Sequence, residues 1–214
     1  MKKRHLVYAI ALIVGMGACA ASAKKQAEAK PDVWKSYNVG TVLFEDKASE
    51  TKGSDIYHRI IPGAESYIKE QARTVLATLY NSPEDSITPV NKIHYTLEDI
   101  EGISAKGGGN GDVTIFYSTR HIEKSFAEND TAKLFFETRG VLLHELTHAY
   151  QLEPQGIGSY GTNRVFWAFI EGMADAVRVA NGGFDGPNAR PKGGNYMDGY
   201  RTAGYFFVWL RDNK

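Results

Sequence analysis

The sequence predicts an α+β fold: a small mixed β-sheet packed on two long helices. Three observations predict it. Short runs with β-branched residues fall in the first 120 residues, two long apolar runs at helical spacing follow them, and a glycine pair closes the second long run. No internal repeat is present.

The elements follow in chain order. Val39 to Phe44 (V-G-T-V-L-F) reads as a first strand, and Glu45 to Asp55 as a polar loop. Ile61, Ala64, Ile68, Ala72, Val75, Leu76 and Leu79 recur at helical spacing, predicting a helix over Ile60 to Tyr80. Pro83 and Pro89 bound a turn. Lys92 to Leu97 and Val113 to Ser118 read as second and third strands. Between them, Gly107 to Gly111 reads as a flexible hairpin loop; no G-K-[ST] follows, so it is not a phosphate cradle. Leu134 to Leu152, Arg164 to Asn181 and Gly199 to Asp212 read as helices. The aromatics between Tyr196 and Trp209 stand at helical spacing and read mainly as core, with Tyr196, Tyr200 and Tyr205 as phenols within reach of a site. His58, His94 and His121 lack metal-ligand spacing.

The amino terminus is a separate matter. Lys2, Lys3 and Arg4 precede an apolar run from Leu6 to Met16, the layout of a signal peptide. Gly17-Ala18-Cys19 then predicts a lipoprotein-type signal over 1–18, with Cys19 carrying the lipid; Ala21-Ser22-Ala23 offers ordinary cleavage as the alternative. Residues 19–32 read as a solvated tether and 33–214 as one domain. The chain is therefore expected outside the cytoplasm, touching the membrane only through that anchor, as a monomer. With 25 basic and 25 acidic side chains, nothing in the charge points to nucleic acid.

His144-Glu145-Leu146-Thr147-His148 carries the chemistry. On a helix the two histidines stand one turn apart on one face, and Glu145 flanks them. Two neutral imidazoles so placed can grip zinc, and the carboxylate beside them can take a proton from water. Val141, Leu142, Leu143, Leu146, Ala149 and Tyr150 make the rest of the segment apolar, so its polar groups need partners. The alternative is a core helix whose histidines bond to backbone carbonyls.

Zinc needs a third protein ligand. Glu171 and Asp175 interrupt the apolar run from Val165 to Ala180 and, four apart, share a face. Two buried carboxylates repel each other unless a cation lies nearby. Glu171 is taken as the third ligand and Asp175 as the acceptor for a ligand histidine's free N–H. The reverse assignment stays open, as does a solvated stripe extended by Arg178. A third histidine is disfavoured, because Gln151 and Pro154 stand where H-E-x-x-H-x-x-G-x-x-H needs glycine and histidine.

H-E-L-T-H-A-Y-Q at 144–151 and F-I-E-G-M-A-D-A-V-R at 169–178 resemble the plant and bacterial basic secretory protein family of zinc peptidases. The segments 111–122 and 199–210 are similar to that family's strand before the zinc helix and helix after the site, and the resemblance runs from about Val39 to Leu210. It implies a zincin-like fold of the gluzincin type. It carries His144, Glu145 and His148 over to the zinc helix, and Glu171 and Asp175 to the further site carboxylates. Tyr200 matches a family tyrosine and is the expected donor to a developing oxyanion. The chain departs from the family in having Tyr205 where arginine is usual, no net basic charge, and an end at Lys214 where members continue, as expected of either a shortened member or a truncated product.

The expected function is zinc-dependent endopeptidase: His144, His148 and Glu171 hold Zn2+, Glu145 is the general base, and the substrate is a peptide or protein. If Val113 to Ser118 is an edge strand, it would hold an extended peptide by backbone bonds. The alternatives are a non-catalytic zinc-binding surface lipoprotein, motivated by the early end, and a zinc amidase acting on cell-wall or glycan substrates.

Overall fold

The computed structural model describes residues 32–125, 130–184 and 188–214. The signal peptide, Cys19 and nearly all of the tether lie outside the described residues. Among the described residues, four strands and six α-helices make an α+β arrangement with a mixed sheet: β1 (Thr41–Asp46), α1 (Lys52–Ile60), α2 (Ala64–Leu79), β2 (Lys92–Glu98), β3 (Ser104–Gly109), β4 (Asp112–Ser118), α3 (Thr119–Ser125), α4 (Thr131–Tyr150), α5 (Arg164–Ala180) and α6 (Tyr200–Asn213). A 3₁₀ turn at Tyr196–Asp198 precedes α6. Among the described residues, no helix is long and apolar enough to cross a membrane.

The sheet order is β1-β2-β4-β3. β1, β2 and β4 run parallel, and β3 pairs antiparallel with β4 on the outside. Alternation sends Val42, Ile93 and Val113, then Tyr95 and Ile115, then Leu97 and Tyr117 to one buried face in register. Leu43 points the other way and stays exposed, so the helices cover one face of the sheet.

The sequence expectation for Val113 to Ser118 as an edge strand is corrected here. β4 is interior, and the edge belongs to β3, whose second half lies in the stretch expected to be a hairpin loop. Asn110 and Gly111, at φ 53° and 84°, close a tight hairpin between β3 and β4. Two consecutive positive φ values match the right-handed twist of the strands, and Asn-Gly adopts them readily. The run Gly107 to Gly109 is thus strand, a pattern that β-propensity does not flag.

Two other boundaries differ. The polar stretch after β1 contains the start of α1, capped by Thr51, whose side chain accepts from the Ser54 N–H. The helix expected over Ile60 to Tyr80 is present as α2 and starts four residues later, at Ala64, because Ile61-Pro62-Gly63 separates it from α1. Both long helices expected later are present. Asp130 caps α4 by accepting from the Lys133 N–H, and Asn163 caps α5 by accepting from Val165 and Phe166. Gly182 and Gly183 end α5, bonding back to Val179 and Arg178.

α4 is buried nearly all round: Leu142, Leu143 and Leu146 are each at most 1% exposed. Each such side chain stabilises its placement by roughly 1.5–3 kcal/mol. Its end is pinned twice, the Tyr150 hydroxyl donating to the Val39 carbonyl at 2.8 Å and the Tyr80 hydroxyl to the Tyr150 carbonyl at 2.6 Å. The histidines of the last two turns are fixed in space by apolar packing.

α6 corrects the expectation that its aromatics form core. Only Ala203 and Gly204 of this helix are buried, whereas Tyr200, Phe206 and Trp209 are exposed. The cause is close helix packing. A Cβ on Gly172 of α5 would lie 2.4 Å from the Ala203 Cβ, so small residues meet at the seam and bulky ones are pushed to its flanks.

Candidate metal centre

The α4 and α5 helices run antiparallel along one cleft of about 890 Å³, whose third wall is the chain entering β3, from Ile103 to Lys106. Pairings along the seam place His148 and His144 opposite Glu171, His144 opposite Asp175, and Glu137 opposite Arg178.

His144 Nε2, His148 Nε2 and Glu171 Oε2 converge. The two nitrogens lie 3.1 Å apart, and the oxygen stands 3.2 Å from His144 and 3.8 Å from His148. These atoms form the one His/Cys/Asp/Glu group found among the described residues that is able to share a metal ion. The spacing fits such an ion: tetrahedral ligands about 2.0–2.2 Å from zinc stand roughly 3.3–3.5 Å from each other. The donor chemistry fits as well, since nitrogen and carboxylate oxygen are zinc's ordinary partners. Asp175 lies outside the trio, with its Oδ1 2.8 Å from the other nitrogen of His144, Nδ1. The geometry therefore groups Glu171, not Asp175, with the histidines. The core-histidine and solvated-stripe alternatives do not hold: Glu171, Asp175 and Arg178 are 4%, 3% and 6% exposed, and both imidazoles face side chains.

The electrostatics follow from burial and charge. Burial opposes a proton on His144, yet the bonds to Asp175 and Glu171 outweigh it and push its pKa to about 9. Burial and then the neighbouring His144 charge push His148 down to about 3, so it stays neutral. Glu171 is held below the usual carboxylate range, because bonds to His144 and Tyr160 overcome its burial.

Glu145 flanks the trio, as its place in the motif requires. Its carboxyl is raised, first by burial, against the lowering influence of His144, the Ser104 hydroxyl and the Lys106 backbone N–H. Those two bonds tie it to β3. Tyr200 lays its ring nearly parallel over His144, centroids 6.1 Å apart, and Trp167 meets it edge-on at 5.4 Å. Burial, then Glu171 and Asp175, raise the Tyr200 pKa, so the phenol keeps its proton at neutral pH.

Four residues escaped sequence reasoning. The Tyr160 hydroxyl donates to Glu171 Oε1 at 2.6 Å from the α4–α5 connection, where no periodicity points to it. The Gln151 amide nitrogen lies 2.8 Å from His148 Nδ1; its place three residues after His148 was the available signal. Glu137 bonds to Arg178 Nη2 at 2.6 Å and faces His121 at 3.2 Å. Glu137 stands seven residues before His144, two turns along the same face, and that spacing was legible. The Arg178 guanidinium lies over the Phe184 ring at 4.0 Å. His58 and His94, read as having no metal role, face Asp46 and Glu45.

A family model described as peptidase of plants and bacteria, that of the basic secretory proteins, matches residues 39–214. No curated protein and no solved structure matches the chain.

Proposed function

The chain belongs to the basic secretory protein family of plant and bacterial peptidases, and from that premise we propose that it is a zinc-dependent endopeptidase with a zincin-like site of the gluzincin type. One observation carries the reading: two histidines of α4 and a glutamate of α5 bring their free ligand atoms within 3.1–3.8 Å of each other beside a fourth, unligating carboxylate.

In this reading His144, His148 and Glu171 hold the metal. When bound, zinc polarises the scissile carbonyl and makes water acidic enough to ionise near neutral pH. The remaining work belongs to side chains of the chain. Glu145 takes the proton from water and delivers it to the leaving amine, and its raised pKa suits both transfers. Asp175 accepts from His144 Nδ1–H and so keeps Nε2 free for the metal. The protonated Tyr200 phenol donates to the carbonyl oxygen as it gains charge.

The substrate is an extended peptide. Among the described residues β3 pairs on one side only, and the Lys106 N–H on its outer edge already points at Glu145. A peptide added along that edge passes Glu145 with its carbonyls in reach. Ser104 and Gly107 to Gly109 leave the edge unobstructed by bulky side chains. The amino-terminal signal pattern and Cys19 support an extracytoplasmic, lipid-anchored location.

Cleavage of a peptide library tests the proposal. The chain should cut with one equivalent of zinc, stop with a chelator and recover on zinc addition. Glu145→Gln should retain zinc and lose about 10²–10⁴-fold in cleavage rate. Zinc at one equivalent with no cleavage would leave a binding protein instead, and undiminished cleavage by Glu145→Gln would remove Glu145 as the base.

A further inference from the structure

Resting on the zinc reading of this site, we propose that Gln151 is the positioning residue that fixes which nitrogen of His148 faces the metal. In the neutral form that binds metal, His144 has its orientation assured: a carboxylate can only accept, so its one proton is on Nδ1 and Nε2 is left with a lone pair. His148 has no carboxylate on its Nδ1. Among the described residues the group facing that nitrogen is the Gln151 side-chain amide, at 2.8 Å.

An amide has a donor side and an acceptor side, and each choice has a different consequence. With the NH₂ turned to His148 Nδ1, the imidazole must carry its proton on Nε2. That proton then points at His144 Nε2, 3.1 Å away, and occupies the place of the metal. The same choice leaves Gln151 Oε1 buried with no partner. Rotating the amide half a turn about its last bond brings Oε1 onto Nδ1–H. The buried oxygen gains its donor, and the His148 Nε2 lone pair is released into the trio. One rotation thus gives the buried oxygen a donor, carries the NH₂ to the oxygen's former place and prepares the third ligand atom.

The residue is placed for this and little else. Gln151 is the first residue past α4 and only 6% exposed. Its backbone N–H bonds to the Thr147 carbonyl at 2.8 Å, and its own carbonyl faces the Thr88 hydroxyl at 3.4 Å. The backbone is held from both sides, so the amide alone has to turn.

Chelator-competition zinc titration of the whole chain and its Gln151→Glu and Gln151→Met variants tests the inference, together with long-range ¹H–¹⁵N spectra of the histidine rings in the zinc-loaded proteins. Gln151→Met keeps the bulk but offers no acceptor, and should bind zinc about 10–100-fold more weakly. Gln151→Glu accepts the same proton and should restore binding to near the parent value. The spectra should show His148 protonated at Nδ1 in the parent and the Glu variant. Equal zinc affinity in the Met variant, a Glu variant as weak as Met, or a His148 proton on Nε2 in the loaded parent would each overturn the role of Gln151 while leaving the zinc site standing. A parent chain that takes up no zinc would overturn both, which separates the two failures.

Discussion

Zinc uptake by the metal-free chain should release one proton at pH 7, and His144 is its source. With its pKa at about 9, His144 is charged two pH units below its midpoint. Only about one molecule in a hundred then has the imidazole ready to bind, and apparent zinc affinity falls about 100-fold, or roughly 2.7 kcal/mol. The sign follows directly: a raised pKa means that zinc must displace a proton below about pH 9, so affinity climbs as pH rises. Between pH 6 and 8 the gain should be about tenfold per unit, levelling near pH 9. His148, held near 3, and the ionised Glu171 add nothing to this slope. Calorimetric titration in buffers of unequal ionisation heat counts the protons, using Glu145→Gln so that the raised Glu145 carboxyl contributes none. Asp175→Asn removes the carboxylate that most supports the charge, so its proton count at pH 7 should drop below one. A count near zero in Glu145→Gln would refute the assigned His144 charge, and a count well above one would mean that a second group, His148 or a zinc-bound water, also gives up a proton.

Further outcomes can be checked alongside. Tyr160→Phe frees Glu171 Oε1 from the hydroxyl that fixes it, and should weaken zinc binding by about tenfold in chelator competition. Gly172→Ala drives a methyl against Ala203 at the α5–α6 seam, and should lower unfolding free energy by about 1–3 kcal/mol in denaturant titration. Glu137→Gln leaves the Arg178 guanidinium buried without its anion, and should cost about 3–5 kcal/mol at pH 7. Glu137 is held down to about 2; burial works against this, but His121 and Arg178 outweigh it. Its contribution is therefore full above the ordinary carboxylate range and is lost as pH falls toward 2, so acid unfolding of parent and variant should converge there.

The parts of this fold that were legible are those where pattern and packing agree. α4 and α5 could be read from the spacing of leucines, valines and alanines, because both helices bury several faces. The clustering of His144, His148 and Glu171 was legible because residues four apart on buried helices have few other uses for their charge. β3 was not legible: Ser104 to Gly109 has neither alternation nor β-branching, and its strand form is imposed by β4 and by the Asn110–Gly111 turn. That omission also put the sheet edge on the wrong strand. The aromatics of α6 misled for a related reason. Helical spacing shows which residues share a face, while the glycine and alanine seam with α5 decides which face is inward. Tyr160 and Gln151 act through loop and helix-end geometry, which has no period to read.

The central claim is that two helices bring His144, His148 and Glu171 to a single zinc ion. Native mass spectrometry of the zinc-equilibrated chain, set beside His148→Ala and Glu171→Ala, tests it most directly. One zinc on the parent and none on either folded variant is the outcome expected. No zinc on the parent, or zinc retained by both variants, would contradict it.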